Sequence, residues 1–174
     1  KVNFRFTCNQ NLILADIKEK DKDDIQETLR QFNVLQYTSS TSALRKNSMA
    51  CVAFNTCPLA LAEAQRYLPS LIDKIEPLLK KHQLEKDEIT IRMTGCPNGC
   101  GRSPLAEIGL VGTSYGYYNL HIGGDRIGER LNTKYKDQIS EPEILAELDQ
   151  LFAAYKKSRN KGETFGDFTH RILN

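Results

Sequence analysis

The spacing of apolar residues changes period along this chain, and the changes mark out its elements. Val2, Phe4, Phe6 and Cys8 alternate with polar neighbours, which predicts a half-buried strand over residues 2–8 with Cys8 as a small apolar residue on its covered face. Asn9-Gln10-Asn11 reads as a polar turn, and Leu12-Ile13-Leu14-Ala15 as a short second strand. Ile25, Leu29 and Phe32 then recur at helical spacing behind the acidic residues Asp21 to Asp24, which favour a helix N-terminus. A polar stretch rich in Ser and Thr, Thr38 to Ser48, reads as a linker or extended loop.

Beyond that stretch the pattern is denser. Pro58 followed by Leu59-Ala60-Leu61-Ala62-Glu63-Ala64 predicts a helix ended by Pro69, with Cys57 just before its first turn, where the helix end favours a thiolate. Leu71, Ile75, Leu78 and Leu79 predict an amphipathic helix from Ser70 to His82. Ile89, Ile91 and Met93 alternate as a strand that runs into the loop Gly95 to Gly101. Glu107 to Val111 and Tyr118 to Ile122 are further strand candidates. Ser140 with Glu143 forms a capping box, and Ile144, Leu145, Leu148, Leu151, Phe152 and Tyr155 give the last helix its apolar face. Lys156, Lys157 and Arg159 suit its C-terminal dipole.

These elements predict an α+β fold, a mixed β-sheet with flanking helices. The strands before residue 39 are too few for a core of their own, so residues 1–38 read as the remnant of one domain and 39–174 as a second. With 174 residues, 40% hydrophobic and 26% charged, the chain can bury one ordinary core. The net charge of +2 and the scattered basic residues argue against nucleic acid as a partner. No apolar run is long enough to span a bilayer, so no membrane partner and a cytoplasmic location are expected.

Five cysteines without a secretion signal argue against a disulfide framework. Four of them form two close pairs, Cys51 with Cys57 and Cys96 with Cys100, able to offer four thiolates to one soft metal centre. Gly95, Gly99 and Gly101 can take positive φ and bring backbone amides near a metal-bound sulfur, while Pro97 stiffens the turn. The C-x5-C and C-x3-C spacings fit an iron-sulfur cluster better than the tighter knuckles of structural zinc. A zinc-stabilised interaction module is the alternative of a different class. His82, His121 and His170 read as structural or exposed. Tyr115, Tyr117 and Tyr118 read as packing residues, since no basic stripe accompanies them.

The segment Thr94-Gly95-Cys96-Pro97-Asn98-Gly99-Cys100-Gly101-Arg102, with Met49-Ala50-Cys51 and Thr56-Cys57-Pro58-Leu59-Ala60 before it, resembles the sirohaem and 4Fe-4S signature of sulfite and nitrite reductases. Leu105 to Gly112, Tyr118 to Gly124, Glu141 to Leu145 and Phe165-Gly166-Asp167-Phe168 are similar to the C-terminal portion of assimilatory sulfite reductase haemoproteins. So are Phe4-Arg5-Phe6-Thr7 and Asn9-Gln10-Asn11.

The resemblance implies that residues 39–174 are a 4Fe-4S and sirohaem-binding domain, preceded by part of a ferredoxin-like half. It implies Cys51, Cys57, Cys96 and Cys100 as cluster ligands, with Cys100 bridging to the sirohaem iron as its axial ligand. Gln10, Asn11 and Asn98 would contact the macrocycle. Its carboxylates would pair with Arg102, and secondarily with Arg5 and Arg92. The implied reaction is the six-electron reduction of sulfite to hydrogen sulfide, with nitrite as the alternative substrate and a flavoprotein using NADPH, or a ferredoxin, as donor. In that family the residues gripping the oxyanion lie earlier than anything in this sequence. The chain is therefore expected to be a C-terminal fragment, inactive alone.

Overall fold

The computed structural model describes residues 2–173, and the chain forms two compact units, one up to Thr41 and one from Ser42 onward. In the first, β1 (Asn3–Phe6) pairs antiparallel with β2 (Leu12–Ala15), placing Phe4 opposite Leu14 and Phe6 opposite Leu12. Helices α1 (Lys22–Gln31) and α2 (Val34–Ser40) follow. The expected strand forms but is not half-buried: Phe4 is 65% and Phe6 88% exposed, and no described residue of this unit is buried. Two strands form one hairpin, and a hairpin without a second layer has nothing to bury its apolar face against. Cys8 is likewise exposed and lies in the turn, beyond the end of β1.

The second unit is built on a five-stranded mixed sheet in the order β3 (Ser48–Ala50), β4 (Ile91–Thr94), β5 (Ile108–Ser114), β6 (Tyr117–Ile122), β7 (Thr133–Ile139). The first three strands run parallel and the last two antiparallel. Ile91, Met93, Ile108, Leu110, Leu120 and Ile122 are fully buried against α4 (Leu68–Lys81) and α5 (Glu141–Ser158), which supply Leu71, Ile72, Ile75, Ile144, Leu148 and Phe152. The capping box forms: Glu143 accepts from the Ser140 amide at 2.8 Å and from its hydroxyl at 2.6 Å. A last helix, α6 (Phe165–Leu173), seats Phe165 edge-on against Tyr155, with ring centroids 5.5 Å apart.

Several expectations fail for identifiable reasons. Residues 58–64 are not helical. Leu61 and Ala62 both donate their amides to Gly95 O, at 2.8 and 2.9 Å, so a neighbouring loop takes the bonds a helix would use. Pro69 does not end a helix; it occupies the first turn of α4, where its missing N–H is harmless. The expected linker contains the end of α2 and a short helix, α3 (Ala43–Lys46), whose N-terminal Ser42 hydroxyl accepts from Arg45 N–H at 3.1 Å. Strand β3 has too few residues for alternation to register, and β7 is an edge strand carrying Lys134, Lys136 and Asp137. Helix α6 had a readable start: Thr164 and Asp167 cap each other, at 2.8 and 3.1 Å.

Candidate metal centre

Parallel pairing of β3 with β4 brings the cysteine loops together. Ala50 stands opposite Met93, so Cys51 and the stretch Gly95-Cys96 leave the same end of neighbouring strands, which lie about 4.8 Å apart. Two contacts join the stems: Cys51 N–H donates to Met93 O at 3.2 Å, and Gly95 N–H donates to Cys51 Sγ at 3.2 Å. The loop after β3 turns sharply through Ala53 and Asn55, both at positive φ. Cys57 N–H donates to Ala53 O at 2.8 Å, and Gln65 N–H closes back on Cys51 O at 3.0 Å.

The glycines divide their work differently from the expectation that all three take positive φ. Only Gly99 does, at +74°. Gly95 and Gly101 serve close approach: a Cβ on Gly95 would sit 2.5 Å from Ala62 O, and one on Gly101 2.4 Å from Met93 O. Each collision is with backbone, which cannot step aside.

Cys96 is buried, Cys51 and Cys57 are half-buried, and Cys100 is exposed. With no helix at 58–64, Cys57 has no helix N-terminus behind it. Among the described residues, no three of Cys, His, Asp and Glu are gathered to hold a metal ion. A lone tetrahedral zinc ion requires sulfurs about 3.8 Å apart, whereas an iron-sulfur core accepts a wider opening.

Of the other predicted residues, Asn98 is exposed between the second pair of cysteines. Arg102 is half-buried at φ 51°, with Nη2 3.5 Å from Met49 Sδ, and its carbonyl accepts from Arg92 Nη1 at 3.5 Å. Gln10 and Asn11 belong to the first unit, in the exposed turn between β1 and β2, and Arg5 there pairs with Asp16 at 3.8 Å.

Reading the sequence missed Phe54, whose ring centroid lies 6.1 Å from that of Tyr115. It also missed Glu107, buried just before β5, whose carboxylate accepts from Thr90 N–H and Gly166 N–H, each at 2.8 Å. Burial pushes the Glu107 carboxyl above the usual carboxylate range. Burial, then the Lys134 charge, pushes the His121 pKa down. The packing role expected of Tyr118 is seen: it is buried, stacked on Tyr67, and its hydroxyl donates to Glu63 O at 2.7 Å. Tyr115 and Tyr117 are exposed. A polar cleft of about 680 Å³ lies beside Ile89 and Glu107, before the starts of β4 and β5 and so away from the cysteine loops.

The chain is 63% identical over 172 residues to the sulfite reductase (NADPH) hemoprotein beta-component of Leptospira biflexa, 55% over 168 residues to that of Salmonella newport, and 53% over 171 to that of Escherichia coli. The chain is similar to sulfite reductase haemoproteins. These matches take in 97–99% of the chain but only 29–31% of each haemoprotein, so the chain spans about a third of its curated relatives' length. Among solved structures, the NirA protein of Mycobacterium tuberculosis superposes with a TM-score of 0.77 at 28% identity, over 97% of this chain and 32% of that one. This likeness supports the α+β fold with its mixed sheet and flanking helices. No family model matches the chain. Among the described residues, no helix is long and apolar enough to cross a membrane.

Proposed function

We propose that this chain is the C-terminal, cofactor-holding part of a cytoplasmic assimilatory sulfite reductase, and that Cys51, Cys57, Cys96 and Cys100 ligate a 4Fe-4S cluster. The observation that carries the proposal is the departure of both cysteine loops from one end of adjacent parallel strands, with the Gly95 amide already aimed at Cys51 Sγ. Amide donors of this kind stabilise a thiolate and tune the potential of the metal it holds. The donor set therefore fits the group: four sulfurs, two loops, and close backbone approach at Gly95 and Gly101.

In this reading Cys100, the exposed thiol, would also hold the sirohaem iron. Arg102 and Asn98 would hold the macrocycle, Arg102 as a partner for its carboxylates. Gln10 and Asn11 belong to the first unit, which we read as the end of a ferredoxin-like half. When bound, the coupled pair supplies the six electrons that take sulfite to hydrogen sulfide, delivered by a flavoprotein that oxidises NADPH or by a ferredoxin.

Anaerobic reconstitution of the chain with ferrous iron and sulfide tests the cluster. The expected result is four irons and four labile sulfides per chain, lost when any of the four cysteines becomes serine. One tightly held zinc and no iron overturns the proposal and favours the interaction module. Steady-state assays of the full-length protein with sulfite and with nitrite decide the substrate.

A further inference from the structure

The second cysteine loop is gripped at both stems by buried polar groups. Thr94, the last residue of β4, and Ser103, just after Arg102, are 1% and 0% exposed, and their hydroxyl oxygens lie 3.0 Å apart. Leu110 O lies 3.4 Å from the Thr94 hydroxyl and accepts from it when Ser103 donates the hydrogen the pair shares. The pair closes the loop over residues 95–102, which contains Cys96 and Cys100.

A third residue fixes the outer stem from far along the chain. Asn132, just before β7, donates its amide hydrogens to Ser103 O at 2.7 Å and Ala106 O at 2.9 Å, while its backbone N–H donates to Pro104 O at 2.9 Å. Space around it is tight: a Cβ on Gly109 would stand 2.6 Å from Asn132 Nδ2 and 2.5 Å from Ser103 O. Asn132 is 9% exposed, and its Oδ1 is buried with no donor among the described residues. Such an acceptor, left dry, costs about 1–3 kcal/mol. The usual answer is an ordered internal water.

We propose that Thr94, Ser103 and Asn132, completed by one buried water on Asn132 Oδ1, form a clamp that sets the separation of the Cys96 and Cys100 thiolates. They are positioning residues for the loop. The proposal rests on reading those cysteines as cluster ligands. A loop closed beforehand does not lose its closure entropy when both sulfurs engage one centre.

The test uses the full chain carrying Cys8→Ser, Cys51→Ser and Cys57→Ser, so that only Cys96 and Cys100 remain, and a trivalent arsenical that binds two thiols at once. Its capture reads the effective concentration of one thiol at the other. Thr94→Val, Ser103→Ala and Asn132→Leu are each expected to slow bidentate capture about 10-fold. Alkylation of the exposed Cys100 by a one-site reagent should stay within about 2-fold. Thr94→Ser, which restores the hydroxyl, should recover capture. Hydrogen exchange at residues 95–102 should rise in the slowed variants under conditions where global unfolding is unchanged.

Unaltered capture and exchange in all three variants overturn the clamp, as does a slowing that tracks global stability and is not rescued by Thr94→Ser. A crystal structure showing a dry Asn132 Oδ1 overturns the water. Capture that depends on Thr94, together with no uptake of iron and sulfide by the chain that keeps all its cysteines, upholds the clamp while removing the cluster reading.

Discussion

The two units turn the same sequence pattern into opposite results. Val2-Phe4-Phe6-Cys8 and Ile89-Ile91-Met93 both alternate, and both lead into strands. Ile89, Ile91 and Met93 are at most 1% exposed, while Phe4 and Phe6 stand in solvent. Alternation thus specifies the strand, and only a second layer buries it. Their turns differ too. The first unit has no glycine and places Gln10, Asp16 and Asn33 at positive φ, whereas all eleven glycines lie in the second, where Gly95, Gly101, Gly109 and Gly112 let backbone meet backbone.

The sharpest way to break this contrast is truncation of one aromatic ring in each unit. Phe152, on α5, is fully buried in the core against Phe165, so Phe152→Ala is expected to destabilise the second unit by about 3–5 kcal/mol. Phe6→Ser should change stability by no more than about 0.5 kcal/mol in this chain, because its ring already faces water. Urea unfolding followed by fluorescence and circular dichroism measures both. Equal losses would mean that the first unit possesses a core of its own.

Backbone packing gives a smaller difference. Gly101→Ala puts a methyl 2.4 Å from Met93 O and 3.1 Å from Cys51 N, and should cost about 1–3 kcal/mol while parting the two cysteine stems. Gln10→Gly in the first unit, at φ 62°, should relieve about 1 kcal/mol of local strain in the hairpin. Thermal melts report the first, and amide exchange at Thr7 to Asn11 the second.

These cases also show what the sequence could reveal. Strand β4, the capping box at Ser140 and Glu143, and the apolar face of α5 are local patterns, and each is found in place. The cysteine spacing pointed to one site, and parallel pairing of β3 with β4 explains how two loops some 40 residues apart come to share a sheet end. Residues 58–64 misled because Gly95 O takes the Leu61 and Ala62 amides, a competitor no local window contains. Asn132 was invisible for the same reason: it acts on Ser103, 29 positions away. The exposure of Phe4 and Phe6 depends on what stands beside the hairpin, which its own residues do not encode.

The smallest effect expected is electrostatic and belongs to the second unit, where all the described buried polar and charged side chains lie. Two carboxyls there pull in opposite directions. Burial raises Glu107 above 4.5, so the folded chain holds that proton more tightly than the unfolded one. Its contribution is fully present below the unfolded value of 4.5 and is lost as pH rises through the folded value. Glu163 is held at about 2 by its hydrogen bond from Arg171 and by the Asn160 amide, so its contribution is present above 4.5 and lost as pH falls through about 2. Melting temperature followed against pH should lose its fall above pH 4.5 in Glu107→Gln, and part of its acid-side fall in Glu163→Gln. A Glu107→Gln profile parallel to that of the unaltered chain would mean that the hydrogen bonds from Thr90 and Gly166 offset the burial of the carboxylate.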